Sequence, residues 1–153
     1  AERLDEGDDA HVTIELVDID ASTLPATRVL GDRPALARMV RNLLDNAARH
    51  ATARVRVAVS DDGSTVEVIV DDDGPGVPEA QRQSIFERFA RIDESRARVS
   101  GGVGLGLAVV RATARRHSGE VRCEPAPLGG ARFVVTLPRP PGRDVDRAAD
   151  VGS

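Results

Sequence analysis

Apolar positions along this chain follow two different periods, and each period predicts one kind of element. In five segments, apolar and polar residues alternate or a short apolar run lies between turn residues, as in β-strands. These segments lie at about 11–19, 54–60, 65–72, 120–125 and 130–137. A turn signal, Asp-Asp-Gly-Ser, joins the second and third, which predicts a β-hairpin. The segment 27–30 is compatible with a further short strand.

Helical periodicity is strongest after Asp32, a residue that can cap a helix, with Pro34 tolerated in the first turn. Apolar residues there are spaced alternately three and one apart, which predicts an amphipathic helix that ends near His50. These residues are Leu36, Met39, Val40, Leu43, Leu44, Ala47 and Ala48.

Two further helical segments follow later in the chain. A short helical piece is expected at about 79–86. A second long helix is predicted from near Gly104 to Ser118, with Gly119 as its C-terminal cap. Between the two, residues 90–102 are polar and lack a period, which predicts a mobile loop.

The elements follow the order strand, helix, hairpin, loop, helix, hairpin. This order favours an α/β fold: a two-layer sandwich in which a mixed, mostly antiparallel sheet is covered by helices on one face. The 153 residues suit one domain. We expect 1–10 to be an N-terminal extension or linker, 11–138 to form the domain and 139–153 to be a flexible tail. Because the chain starts with Ala1, we interpret it as a segment of a longer protein.

Composition narrows the classes of function. With 21 basic and 25 acidic residues the formal net charge is −4, so no general attraction to nucleic acid is expected. The three aromatic residues are all Phe, which argues against a base-stacking surface. The single cysteine, Cys123, cannot form an internal disulfide and is interpreted as a small buried hydrophobe. No apolar run approaches the roughly 18 residues that span a bilayer, so we expect no direct membrane contact.

Three polar residues share one edge of the apolar stripe on the first long helix. At about 100° per residue, Asn42, Asn46 and Arg49 project together and not onto the fully solvated side. A carboxamide oxygen is a hard ligand suited to Mg²⁺, which keeps several waters and takes further oxygens from phosphate. Arg49 would then meet a phosphate. Taken alone, ordinary polarity of a helix surface explains the same pattern.

Two glycine-containing segments add candidate chemistry. The run DDGPG at 72–76 places a carboxylate at the end of a strand, before glycines that let a planar ring approach the backbone. Such a carboxylate can accept a hydrogen bond from the exocyclic amine of adenine, although an ordinary acidic turn is the alternative. The run GGVGLG at 101–106 opens a helix whose free amides can face an anion. It is neither a P-loop nor a Rossmann fingerprint.

In this order, the segments resemble the four boxes of the histidine kinase ATPase family. NLLDNAARH at 42–50 is similar to its N box, DDGPG at 72–76 to its G1 box, IFERF at 85–89 to its F box and GVGLGL at 102–107 to its G2 box. The resemblance covers about 11–137 and implies the Bergerat, or GHKL, fold with Mg²⁺ and ATP as ligands. The F and G2 boxes are more similar to the sensor-kinase branch than to gyrase B, mismatch-repair ATPases or chaperones.

The resemblance also implies roles for individual residues. Asn46 resembles the Mg²⁺-binding asparagine, with Asn42 beside it as a second metal-ligand candidate. Arg49 takes the place of a basic residue, usually Lys, that meets phosphate, and His50 matches a position that lines the nucleotide. Asp72 resembles the adenine-binding aspartate. The other ATP-binding candidates are Gly74, Gly76 and Val77 in the turn, and Gly102, Val103, Gly104, Leu105 and Gly106 at the hinge of the lid.

Residues 87–101 would form the lid over the nucleotide. Among the lid arginines we choose Arg91 as a candidate to stabilise the γ-phosphoryl charge, so that the catalytic candidates are Asn46, Arg49 and Arg91. None of the three histidines has the context of a phosphoacceptor. His117 is interpreted as a favourable charge at a helix C-terminus or as a solvent-exposed residue.

On this interpretation the domain positions Mg²⁺–ATP for phosphoryl transfer to a histidine on a separate dimerisation domain of the same parent protein, and a response regulator then receives the group. The fragment alone is expected to bind ATP but to autophosphorylate poorly. We expect it to be cytoplasmic, in a membrane-anchored parent. Two alternatives stay open: an anti-sigma-factor serine kinase, and a nucleotide-binding module without transferase activity.

Overall fold

The structure, a computed structural model, describes residues 12–18, 29–87 and 106–139. These residues form one five-stranded sheet with two α-helices. The strands are β1 Thr13–Asp18, β2 Arg54–Asp61, β3 Thr65–Asp72, β4 Glu120–Pro125 and β5 Ala131–Pro138, and the helices are α1 Arg33–His50 and α2 Gly106–Arg116. The expected extension at 1–10 and nearly all of the expected lid and tail lie outside the described residues.

The strands lie in the order β1-β2-β3-β5-β4. β1 runs parallel to β2, because the connection between them passes through α1. The other three neighbouring pairs of this sheet are antiparallel. The β2–β3 hairpin turns where it was predicted, since the Asp62 carboxylate accepts hydrogen bonds from the Ser64 and Thr65 N–H groups at 2.9 and 2.8 Å. The predicted mixed, mostly antiparallel sheet is confirmed.

α1 begins and ends where the periodicity predicted. The Asp32 side chain caps it by accepting a hydrogen bond from the Ala35 N–H at 3.2 Å. The face toward the sheet buries Met39, Leu43 and Ala47, each at most 1% exposed. This apolar stripe packs the helix against β2 and β3. Such packing contributes more to the stability of a helix in a protein than intrinsic helix propensity does.

The core lies between the helices and one face of the sheet. The Phe86 ring meets the Phe133 ring edge-on, with centroids 6.0 Å apart and planes at 88°, so the first Phe of the predicted F box is a core residue. No helix in the described ranges combines the length and apolar character needed to cross a membrane. The buried core residues include Met39, Leu43, Ala47, Val55, Val70, Ile85, Phe86, Val110, Ala114, Val121, Phe133, Val135 and Leu137.

Two predicted elements differ from the structure. The helical piece at 79–86 is two separate 3₁₀ turns, Glu79–Gln81 and Ser84–Phe86, because the chain bends between them to bury Ile85 and Phe86. In the segment 27–30, the described residues Val29 and Leu30 are not in a strand. They lead directly into the cap of α1, and Leu30 is 82% exposed.

The end of α2 also differs from its prediction. Ser118, not Gly119, takes the left-handed conformation, with φ of 62°. The Gly119 N–H donates to the Ala114 carbonyl at 2.8 Å, and the Ser118 N–H donates to the Arg115 carbonyl at 3.0 Å. This is the Schellman arrangement, in which the residue after the left-handed one closes the longer hydrogen bond.

His117 is not the solvent residue or simple terminal charge that the sequence suggested. Its half-buried ring has Nδ1 at 2.7 Å from the Thr113 carbonyl, and its Nε2 accepts a hydrogen bond from the Asp32 N–H at 3.1 Å. The two contacts together require a neutral ring with its proton on Nδ1. His117 therefore connects the C-terminal end of α2 to the N-terminal end of α1.

Candidate nucleotide-binding site

The C-terminal end of β3 places a carboxylate in a buried position. Asp72 is 1% exposed, and its Oδ1 accepts hydrogen bonds from the Gly74 N–H at 2.9 Å and the Ala131 N–H at 3.2 Å. Burial raises the pKa of Asp72 above its ordinary value, while the two N–H groups and His50 act in the opposite direction. Within the described residues no hydrogen bond reaches Oδ2, so this oxygen is left for a ligand donor.

Glycines bring the backbone close to this carboxylate. A Cβ at Gly74 would lie 2.1 Å from the His50 carbonyl oxygen, and a Cβ at Gly130 would lie 2.2 Å from Asp72 Oδ1. Gly76 has φ of 77°, a conformation that other residues rarely adopt. The turn after β3 is therefore packed between the end of α1 and the start of β5, and neither contact leaves room for a side chain.

Three consecutive aspartates at this strand end have three different roles. Asp71 lies on the sheet face away from the helices and receives two hydrogen bonds from Arg132, at 2.7 and 2.8 Å. Asp73 turns back to the segment after α1, where the Ala53 N–H donates to it at 3.0 Å. That hydrogen bond is the main reason why the pKa of Asp73 is lowered. Among the three, Asp72 faces the helical layer, on the side of the nucleotide candidates.

The edge of α1 carries the predicted metal and phosphate residues. His50, in the last turn, is half-buried and its carbonyl lies against Gly74. Asn46 and Asn42 are half-buried on the same helix edge, about 6 and 12 Å further back along the axis at 1.5 Å per residue. Arg49 is exposed. The structure thus places His50 beside Asp72. The two asparagines lie on the same edge of α1, at increasing distance from His50.

The donor set on α1 fits Mg²⁺ in one specific way. In the part of the chain that the structure describes, no group of three or more His, Cys, Asp or Glu side chains is placed to hold a metal ion, and neither asparagine carboxamide has a hydrogen-bond partner. Two neutral oxygen ligands one helical turn apart do not form a complete protein site. They fit a cation that keeps its waters and takes its remaining ligands from phosphate oxygens.

Val77 and Cys123 lie near the turn that follows β3. Val77 packs against the core, and its carbonyl accepts a hydrogen bond from Arg82 Nε at 3.1 Å. Cys123 on β4 is half-buried and packs against the same core, as the sequence suggested. Burial raises the pKa of the Cys123 thiol to about 11. The thiol is therefore neutral near pH 7.

The predicted phosphate loop is described only at its last residue. Gly106 begins α2 and is exposed, and a Cβ there would meet no atom within 4 Å. Packing therefore does not demand a glycine at this position. Gly102, Val103, Gly104 and Leu105, and the lid candidate Arg91, lie outside the described residues, so their roles stay predictions.

Sequence reasoning missed the contribution of β5 to this site. Gly130 and Ala131, which contact the Asp72 carboxylate, were predicted only as the start of a strand. The Gly129-Gly130 pair was a signal, because a second glycine next to a strand can mark close approach of another backbone. Asp72, which accepts from the Ala131 N–H and is 59 residues away from Ala131 in sequence, was not apparent as the partner of this segment.

A five-stranded mixed sheet under a helical layer, with a buried aspartate in a glycine turn at the end of a strand, is the arrangement of the Bergerat-type sandwich. A family model described as histidine kinase-, DNA gyrase B- and HSP90-like ATPase matches residues 31–141. The chain belongs to this family, and the resemblance drawn from its four boxes is confirmed.

Individual relatives are sensor kinases. Over 108 residues the chain is 44% identical to the sensor histidine kinase CpxA of Escherichia coli K12. The aligned region is 71% of this chain and 24% of CpxA. The solved mycobacterial sensor histidine kinase MprB is similar at 33% identity and a TM-score of 0.69, covering 84% of this chain and 83% of that one. The solved ATP binding domain of PrrB from Mycobacterium tuberculosis is 33% identical with a TM-score of 0.62, covering 83% and 81%. The chain spans about a quarter of the length of CpxA.

Proposed function

We propose that this chain binds ATP with the adenine ring against Asp72. The observation that carries the proposal is the Asp72 carboxylate, which is buried with one oxygen held by two backbone N–H groups and the other left for a donor. The exocyclic amine of adenine can donate to that oxygen, whereas guanine would present a carbonyl to it. The turn around Gly74 and Gly76 gives a flat ring close access to the backbone. Selectivity for adenine over guanine follows.

The phosphates would extend from Asp72 along the edge of α1. Asn46 and Asn42 would hold Mg²⁺, which when bound supplies positive charge to the phosphate oxygens. Arg49, exposed in the last turn of α1, would place its planar fork on a phosphate. The predicted loop up to Gly106 would supply backbone N–H groups at the start of α2. Arg91 is the proposed lid contact to the γ-phosphoryl group.

The proposed reaction is phosphoryl transfer, in which positioning and charge neutralisation lower the barrier more than covalent help from the protein does. The γ-phosphoryl group would pass to a histidine nitrogen on a dimerisation domain of the parent protein, and then to an aspartate of a response regulator. On this proposal the domain acts in the cytoplasm, within a membrane-anchored parent. The family match and the sensor-kinase relatives support this assignment.

Isothermal titration tests the nucleotide site directly. Mg²⁺–ATP and ADP should bind, GTP should bind at least tenfold more weakly, and Asp72→Asn should bind adenine nucleotides at least tenfold more weakly while it stays folded. The chain contains no Trp or Tyr, so calorimetry is preferred to intrinsic fluorescence. A well-folded wild-type protein that binds no nucleotide would contradict the proposal and favour a docking module of the same fold.

A second experiment tests the acceptor. The domain is incubated with radiolabelled ATP and a dimerisation domain that bears the phosphoacceptor histidine, supplied in trans. Label that is lost in acid and stable in alkali identifies phosphohistidine, as the proposal requires. Acid-stable label would instead identify a serine kinase, and no label under conditions that saturate the nucleotide site would remove the kinase part of the proposal alone.

A further inference from the structure

The sheet face away from the helices carries a row of alternating charges that crosses all five strands. In the strand registers Glu15 pairs with Arg56, Arg56 with Asp71, Asp71 with Arg132, and Arg132 with Glu124. Two of these four pairs are in ion-pair contact: Arg56 with Glu15 at 3.8 Å, and Arg132 with Asp71 at 2.7 Å. The row lies at the end of the sheet where β3 leads into the Asp72 turn.

The central pair of this row is held tightly. Arg132 donates from Nε and from its terminal nitrogen to the two oxygens of Asp71, at 2.7 and 2.8 Å, which is the two-pronged geometry that only arginine offers. Asp71 is 2% exposed, whereas the Arg132 side chain is 28% exposed. Arg132 is therefore the solvent-side partner that compensates a buried carboxylate.

This ion pair closes the ladder between β3 and β5. Asp71 and Arg132 are the last residues paired in that ladder, and the next residues on the two strands are Asp72 and Ala131. The Ala131 N–H donates to Asp72 at 3.2 Å on the helix-facing side of the sheet. The terminal pair of a ladder has no further backbone hydrogen bonds beyond it to keep it closed, so a side-chain clamp there fixes the distance between Asp72 and Ala131.

We propose that Arg132 is a positioning residue for nucleotide binding: by clamping Asp71 on the open face, it holds the Ala131 N–H against the Asp72 carboxylate on the opposite face. This inference rests on the proposed function, because it gives Asp72 the role of adenine acceptor. Arg132 does not contact the nucleotide in this arrangement. It acts through Asp71 and the backbone of the two strand ends.

The test measures ADP affinity by calorimetry in Arg132→Gln and Arg132→Lys, with thermal unfolding recorded for each. Loss of the clamp should weaken ADP roughly threefold to thirtyfold, the range found for residues that act through another group. Arg132→Lys should lie between wild type and Arg132→Gln, because a point charge replaces one prong of the fork. Arg122→Gln is the matched control. Arg122 lies on the same face, two residues further along β4 from the Asp72 turn than Glu124, and it pairs with Glu67 and Glu124 but not with Asp71. Its loss should leave ADP affinity within about twofold.

A pH profile separates positioning from a general loss of stability. The ionised Asp72 carboxylate is the stronger acceptor for the amine, so binding weakens as pH drops through its pKa, and the Ala131 N–H lowers that pKa. Without the clamp this hydrogen bond weakens, the pKa of Asp72 rises, and the acid limb of ADP binding should move to higher pH. The other titratable groups around Asp72 are His50 at the end of α1, Asp73 in the turn and Cys123 on β4, and they are unchanged in these variants.

The outcomes are distinct. If wild type binds ADP, Asp72→Asn binds it at least tenfold more weakly, and folded Arg132→Gln matches wild type in affinity and pH profile, the inference is wrong and the proposed function stands. If wild type does not bind ADP, the proposed function itself fails. Should Arg132→Gln not fold, Asp71→Asn is measured instead, because it removes the buried carboxylate and leaves a solvent-accessible arginine. It should show the same weakening, and wild-type affinity in that variant would overturn the inference.

Discussion

The backbone of Gly130 packs directly against the carboxylate of Asp72. A Cβ at position 130 would lie 2.2 Å from Oδ1 and 2.4 Å from the Asp72 carbonyl oxygen. Neither atom belongs to a flexible side-chain end that can move away at little cost, because Oδ1 also accepts hydrogen bonds from Gly74 and Ala131. The candidate adenine pocket is therefore formed jointly by two strand ends that are far apart in sequence.

Gly130→Ala should damage both stability and nucleotide binding. The added methyl group must displace the Asp72 carboxylate or part the ends of β3 and β5, and we expect a loss of about 1–3 kcal/mol in the free energy of unfolding. Displacement of the carboxylate should also weaken ADP roughly tenfold. Urea denaturation and calorimetry measure the two effects. Gly106→Ala is the stability contrast: its Cβ would meet nothing within 4 Å and it lies at the first residue of α2, so the variant should change stability by no more than about 0.5 kcal/mol.

Asp72→Asn should uncouple binding from stability. The amide presents no carboxylate to adenine and should weaken ADP roughly tenfold to a hundredfold, the loss expected for a charge-assisted hydrogen bond. The unliganded protein should become more stable at pH 7, because burial raises the pKa of Asp72 and the ionised group is costly in the folded state.

The pH dependence of that gain has a definite sign. Below the ordinary pKa of 3.8 the carboxyl is protonated in the folded and unfolded chains alike, so the stability difference between Asp72→Asn and wild type should vanish. It should grow as pH rises from there through the folded-state pKa and then level off. Thermal midpoints between pH 3 and 8 give the curve, and a variant less stable than wild type at pH 7 would contradict it.

The fold could largely be predicted from the sequence because its elements are local. The three-and-one spacing from Leu36 to Ala48 leaves one face of α1 apolar, and only one layer arrangement buries it against alternating strands. The hairpin at Asp62 follows from a turn signal next to two valine alternations. The prediction of one helical piece at 79–86 was wrong because the backbone conformation there depends on the burial of Ile85 and Phe86 in the core, which is a tertiary effect.

From the sequence, the site could be predicted only where it is formed by segments that are neighbours along the chain. Asp72, Gly74 and His50 come together because the segment after α1 and the turn after β3 are adjacent in the sheet. The contacts of Gly130 with Asp72 and of Arg132 with Asp71 depend on which strand lies beside β3. That neighbour is β5 and not the sequence neighbour β4, a choice that local patterns do not contain.

Asp73→Asn should reduce stability without changing adenine selectivity. The folded-state pKa of Asp73 is lowered by backbone N–H groups, first that of Ala53, so its ionised form stabilises the folded protein. This contribution is fully present above the ordinary pKa of 3.8 and is lost as pH falls through the lower folded-state pKa. Thermal midpoints should therefore differ from wild type at pH 7 and converge toward pH 2. Asp45→Asn, on the exposed face of α1, is the control and should change little at either pH.

Cys123 should react slowly with thiol reagents in the native protein. Burial raises its pKa from 9.0 to about 11, which lowers the thiolate fraction at pH 8 roughly a hundredfold relative to the unfolded chain. As the single cysteine of the chain, it can be followed by absorbance with a disulfide reagent, in buffer and in urea. Equal rates in the two conditions would show that folding neither buries the thiol nor raises its pKa.

His117 and Gly31 should be energetically coupled across the helix ends. A Cβ at Gly31 would lie 2.2 Å from the imidazole of His117, so Gly31→Ala should displace the ring and break its hydrogen bond with the Asp32 N–H. His117→Ala removes the same hydrogen bond and should cost about 1–3 kcal/mol, because two backbone groups lose their partner. In the double variant the methyl group has space and the hydrogen bond is already lost, so the combined loss should fall short of the sum by roughly 0.5–3 kcal/mol.

Urea denaturation of the four proteins, wild type, the two single variants and the double variant, gives this coupling. Gly31→Ala combined with Gly106→Ala, at the opposite end of α2, should be additive within about 0.5 kcal/mol. Additivity of Gly31→Ala with His117→Ala would mean that the imidazole does not join the two helices.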